Sequence, residues 1–157
     1  MVTIERDTTG AHVDDCHTLA RGLDRGFNEA GLDAMAETLP EQTQYLAFDG
    51  GELLGFASID EHGPTVAELA WLAVRPAAQG AGVGSRLLDG VADRLAADGV
   101  ELLTVKTLAA TADSEHYARV RSFYEAAGFR HVETIDPYPE WEPGNPCAIY
   151  VKPLAVD

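Results

Sequence analysis

The sequence predicts an α+β fold in which helices cover both faces of a central mixed sheet. Three stretches carry that expectation. Two apolar runs flank Asp49-Gly50-Gly51 in QYLAFDGGELLGFASID, the pattern of a tight β-hairpin. The run TVAELAWLAV is apolar at every position after Thr65 except Glu68, as suits a strand covered on both faces. Between it and a second buried strand, VELLTVKTL, apolar residues fall at Leu87, Leu88, Val91, Leu95 and Ala96, which is helical spacing. A strand–helix–strand unit after an antiparallel hairpin gives a sheet with both kinds of pairing.

The remaining elements follow in chain order. Val2–Glu5 forms a first strand. Asp14 or Asp15 is placed to cap a helix running to about Gly26, and a second short helix is expected over Leu32–Thr38, stopped by Pro40. After EHGP the long apolar strand runs to Val74 and ends at Pro76. The next helix is expected from Ser85, with Gly99 at its C-terminal cap. SEHYARVRSFYEAAG is a helix ending at Gly128, FRHVETI a strand, DPYPEWEPGNP a loop and CAIYVKPL a closing strand. No internal repeat or low-complexity segment is visible.

A length of 157 residues suits one domain, expected over residues 1–157, and 46% hydrophobic residues suffice for a core. No apolar run approaches the roughly 20 residues of a membrane span, and MVTIERDTTG lacks the basic and apolar blocks of a signal peptide. The expectation is a cytoplasmic protein without membrane partners. Cys16 and Cys147 show neither metal-ligand spacing nor a disulfide framework. The histidines His12, His17, His62, His116 and His131 are scattered, so no metal is expected.

The formal charge is −15, from 26 acidic and 11 basic residues, and Lys106 and Lys152 are the only lysines. Such a field repels phosphates, which excludes nucleic-acid binding by general electrostatics. The carboxylates are spread along the chain without a block of like charge. Two explanations stand: a surface adapted to high salt, or an acidic face for a cationic partner.

The chemistry is marked by VRPAAQGAGVGSRLL, where Gly80, Gly82 and Gly84 alternate directly before a helix. The first N–H groups of a helix lack intrahelical partners and lie at the positive end of its dipole, and glycines let a diphosphate approach them. The alternative is a tight turn that needs glycine for its angles. No Lys-Ser/Thr follows the glycines, which excludes the nucleoside-triphosphate loop. A dinucleotide fingerprint fails because Ser85 stands at its third glycine and the loop does not follow an opening strand.

Gln79-Gly80-Ala81-Gly82-Val83-Gly84 resembles the Q/R-x-x-G-x-G/A motif of the GNAT family of N-acetyltransferases, and RSFYEAAGF, Arg121 to Phe129, resembles that family's second signature. The resemblance runs from about Tyr45 to Leu154, and it implies a mostly antiparallel mixed sheet with acetyl-CoA as cosubstrate. It implies that the pyrophosphate lies on the backbone of Gln79, Gly80, Ala81, Gly82, Val83, Gly84 and Ser85, with the pantetheine arm beside Leu72, Ala73 and Val74. It implies acetyl transfer by direct attack of a primary amine of a small-molecule or peptide acceptor. Tyr124 then corresponds to the acid that protonates the leaving thiolate.

Glu68, six residues before Val74, matches the catalytic glutamate of the histone-acetylating branch. Strand alternation is expected to put it on one face with Ala70, Leu72 and Val74. Water-mediated proton transfer is the alternative. Tyr117 stands where family members often carry a cofactor-contacting Asn. The proline-rich loop could form acceptor-site walls from Tyr138 and Trp141, with Glu140 or Glu142 attracting a cation, or simply be a rigid surface loop. A homodimer is compatible with the resemblance. A non-catalytic acyl-CoA-binding or sensing module on the same fold is the competing function.

Overall fold

The computed structural model describes residues 1–23 and 26–154. Among these residues seven strands form one sheet: β1 (Val2–Asp7), β2 (Thr43–Asp49), β3 (Glu52–Glu61), β4 (Val66–Val74), β5 (Leu102–Leu108), β6 (Arg130–Ile135) and β7 (Cys147–Pro153). Their spatial order is β1-β2-β3-β4-β5-β7-β6. Every pair is antiparallel except β4 with β5. Four α-helices accompany the sheet among the described residues: α1 (Val13–Arg21), α2 (Glu29–Thr38), α3 (Val83–Ala97) and α4 (Glu115–Ala126). The α+β mixed sheet expected from the sequence is the one observed.

The helices divide between the two faces. Leu87, Leu88, Val91 and Leu95 of α3 and Tyr124 of α4 pack with Tyr45, Ala57, Ile59, Leu69 and Leu103 on one face. Cys16 and Leu19 of α1 and Leu32 and Met35 of α2 pack with Leu46, Phe56 and Ala73 on the other. Full burial of a Leu or Phe side chain stabilises by about 1.5–3 kcal/mol, so both clusters contribute to holding the helices on the sheet.

Several element ends differ from the sequence reading. The first helix begins at Val13, with His12 at the cap and no side-chain cap bond. Asp14 and Asp15 instead occupy its first turn, where the helix dipole favours carboxylates. It ends at Arg21, short of Gly26; Asp24 and Arg25 lie outside the described residues. The second helix starts at Glu29 because the Asn28 side chain accepts the Gly31 N–H at 2.8 Å. The third begins at Val83, two residues before Ser85, because Gly82 already adopts the left-handed conformation that turns the chain into the helix.

Candidate functional site

Strands β4 and β5 pair only over Val66–Leu69 and Leu102–Val105. Beyond that, β4 continues to Val74 while held by β3 alone, and β5 continues to Leu108 while held by β7. A fork opens between them, and its β4 wall is the unpaired edge of Ala70–Val74. Leu72, Ala73 and Val74 all lie on that edge. Ala70 marks the divergence: Ser58 pairs with Trp71 and Ile59 with Leu69, leaving Ala70 as a bulge.

The bulge corrects one sequence expectation. Ala67 and Leu69 face the α3/α4 core, and after the extra residue Leu72 and Val74 face it too. Trp71 and Ala73 face the α1/α2 core. Glu68, between Ala67 and Leu69, therefore belongs to the α1/α2 face with Trp71 and Ala73. It does not share a face with Leu72 and Val74.

The chain leaves the wide end of the fork through the glycine loop. Gln79 donates from Nε2 to the Val74 carbonyl at 2.9 Å, tying the loop to the end of β4. Gly80 and Gly82 have φ of +83° and +82°, a region that favours glycine, and a Cβ built on either meets nothing within 4 Å. No side chain caps the N-terminus of α3. The leading N–H groups of Val83, Gly84 and Ser85 are thus the unpaired donors of a 15-residue helix, beside open space. Gly84 serves packing instead: a Cβ there would stand 3.1 Å from Phe123 Cζ and 3.8 Å from Val74 Cγ2. Its bareness lets α3, α4 and the end of β4 converge.

Tyr124 is buried on α4, edge-on to Phe129 with ring centroids 5.4 Å apart and next to Phe123. Burial drives its phenol well above the usual tyrosine range, with Tyr117 adding to the rise. The hydroxyl is thus held protonated, and the same rise makes it a weaker acid. Tyr117 lies in the first turn of α4, whose Ser114 cap accepts the Tyr117 N–H at 3.3 Å.

At the closed end of the fork, Glu68 is only 13% exposed and both its oxygens are engaged. Lys106 Nζ lies 3.2 Å from Oε2 and 3.4 Å from Oε1. His62 Nε2 lies 2.7 Å from Oε1. Lys106 is the first β5 residue beyond the paired stretch. Partial burial works against its ammonium, but Glu68 and Tyr138 outweigh this and raise its pKa. The ammonium also stands 5.7 Å over the Tyr138 ring, a cation–π contact. Tyr138 donates to Glu140 at 2.9 Å and meets Trp141 edge-on at 5.2 Å. The proline-rich loop thereby reaches the fork through Lys106.

Sequence reasoning missed Lys106 and His62 as site residues. Lys106 became legible only with the parallel register, which sets Thr104 opposite Glu68 and Lys106 two residues further on the same face. His62 sits on the turn leading into β4, its N–H bonded to the Val66 carbonyl at 3.2 Å. Cys147 is buried near the same cluster, and burial, opposed by Lys106, pushes its thiol up. That does not favour a thiolate nucleophile. Among the described residues no His, Cys, Asp and Glu group could hold a metal ion, and no helix is long and apolar enough to cross a membrane.

Comparison with known proteins bears on this geometry. No curated protein sequence matches the chain. An acetyltransferase of the GNAT family from Desulfovibrio desulfuricans is similar in structure, with a TM-score of 0.84 and 22% identity, covering 99% of this chain and 100% of that one. The ribosomal-protein-S18-alanine N-acetyltransferase from Escherichia coli gives 0.78 and 21%, covering 100% and 96%. A GNAT family acetyltransferase from Elizabethkingia anophelis, solved with acetyl-CoA bound, gives 0.73 and 21%, covering 98% of each chain. At such identities the likeness is one of fold. The sequence model of the GNAT acetyltransferases matches residues 12–129, from the start of α1 through the glycine loop to the end of α4. The chain belongs to the GNAT acetyltransferase family.

Proposed function

We propose that residues 1–157 act as one N-acetyltransferase domain that moves the acetyl group of acetyl-CoA to a primary amine by direct attack. The observation that carries this reading is the fork: an unpaired β4 edge leading to an uncapped helix N-terminus with open space over Gly80 and Gly82. An extended chain of amides pairs naturally with such an edge, and a diphosphate with such a terminus. In the proposed arrangement the backbone of Gln79 to Ser85 holds the diphosphate, and Leu72, Ala73 and Val74 hold the pantetheine arm. The thioester then reaches the bulge at Ala70, where a backbone N–H freed from strand pairing could receive the developing oxyanion.

Tyr124 is the proposed donor to the departing thiolate, and Glu68 the proposed acceptor of the proton shed by the amine. The acceptor would approach on the α1/α2 face, past Trp71 and the Tyr138–Trp141 pair, within an acidic field that favours a cation. The test is release of CoA from acetyl-CoA over a panel of amines, amino acids, aminoglycosides and peptide N-termini, at low and high salt. Turnover with at least one amine supports the enzyme. Tight acetyl-CoA binding with no turnover on any amine would favour a sensing module instead.

A further inference from the structure

We infer that His62 is the proton outlet of Glu68, carrying to solvent the proton that each acetyl transfer releases; this rests on the proposed role of Glu68. An ammonium acceptor loses two protons when it becomes an amide. One ends on the CoA thiol, and one must reach bulk water. Glu68 is poorly placed to deliver it alone, because its side chain is 13% exposed and Lys106 covers Oε2 at 3.2 Å. Its Oε1 instead meets His62 Nε2 at 2.7 Å, and the His62 side chain is 49% exposed on the outer turn of the β3–β4 hairpin. The pair bridges the closed end of the fork and the solvent.

The step balances without another reactant. A proton received by the carboxyl passes along the 2.7 Å contact to Nε2, restoring the carboxylate and leaving an imidazolium. The ring then gives a proton from Nδ1 to water and rests with Nε2–H donated to the carboxylate; once Glu68 takes up the next proton, exchange with water moves that hydrogen to Nδ1 and frees Nε2 to accept. Imidazole suits this task because one ring nitrogen can take up a proton while the other gives one up. Lys106 has a positioning part: its ammonium lies 3.2 Å from Oε2 and donates to Oε1 at 3.4 Å, which fixes the carboxylate with Oε1 against the ring.

The charged groups around the pair are few. Asp60 stands opposite Glu68 in the β3–β4 register. Lys106 comes from β5, with Tyr138 and Glu140 beyond it on the loop after β6. Glu61 belongs to the other face, where it acts on Tyr45.

The test compares wild type, His62→Gln and Glu68→Gln with the acceptor that turns over best in the panel above. Glutamine at 62 can still donate to Oε1 but cannot carry a proton, so it preserves the contact and removes the relay. The expected result is a kcat lowered about tenfold or more in His62→Gln, toward the ~10²–10⁴ that proton-transfer groups contribute. The KM for acetyl-CoA should stay unchanged. Added imidazole should raise that kcat with its concentration and leave wild type unaffected. A His62→Gln enzyme at wild-type kcat, or a slowed one that imidazole does not rescue, overturns the relay. A fully active Glu68→Gln enzyme would instead remove the Glu68 assignment on which the relay rests.

Discussion

Replacing Tyr124 by phenylalanine keeps the ring that meets Phe129 and Phe123 and removes only the hydroxyl. Packing should survive, and acetyl-CoA affinity with it. Turnover should fall by about 10²-fold, within the range general acids contribute; steady-state kinetics with the best acceptor checks this. Equal turnover would make Tyr124 a core residue and leave water to protonate the thiolate. Tyr124 could be proposed from the sequence because its neighbours form a motif on one helix. His62 and Lys106 could not, because they meet Glu68 from a turn and a neighbouring strand. Lys106 in particular depends on a pairing register that no local pattern encodes.

At the scale of elements, the hairpin, the βαβ unit and the glycine loop were readable because each has its own local signal: turn residues, helical spacing, alternating glycines. The bulge at Ala70 left no such trace. Both faces of β4 are covered, so its residues are apolar on either side and a slip in alternation changes nothing in the sequence. That slip decides which core Glu68 joins. The placement of β7 between β5 and β6 was equally hidden, since strand order follows from long-range pairing.

The glycine loop yields a prediction at this scale. Gly82→Asp sets a carboxylate over the uncapped end of α3, where a Cβ meets no protein atom within 4 Å. The substitution should weaken acetyl-CoA binding at least tenfold, which is about 1.4 kcal/mol. Gly82→Ala, also strained at φ +82° but uncharged, should bind more tightly than the Asp variant. Titration calorimetry on both folded variants measures the difference, and equal affinity for Asp and wild type would remove the loop assignment.

Over the whole molecule the dominant fact is a charge of −15. The Debye length falls from about 30 Å at 0.01 M to about 3 Å at 1 M salt. If the acidic surface is adapted to high salt, the Tm should rise steadily as chloride is increased across that range. A flat Tm would favour an acidic patch that receives a cationic acceptor. Neither outcome touches the fork, where the proposed chemistry resides. The direct measurement there is amide hydrogen exchange with and without saturating acetyl-CoA. Exchange should slow at two separated segments, Ala70–Val74 on the open edge of β4 and Gly82–Ser85 at the start of α3, while the outer strand β1 is unchanged. Bound acetyl-CoA that leaves both segments exchanging at their free rates would contradict the placement of the cosubstrate in the fork.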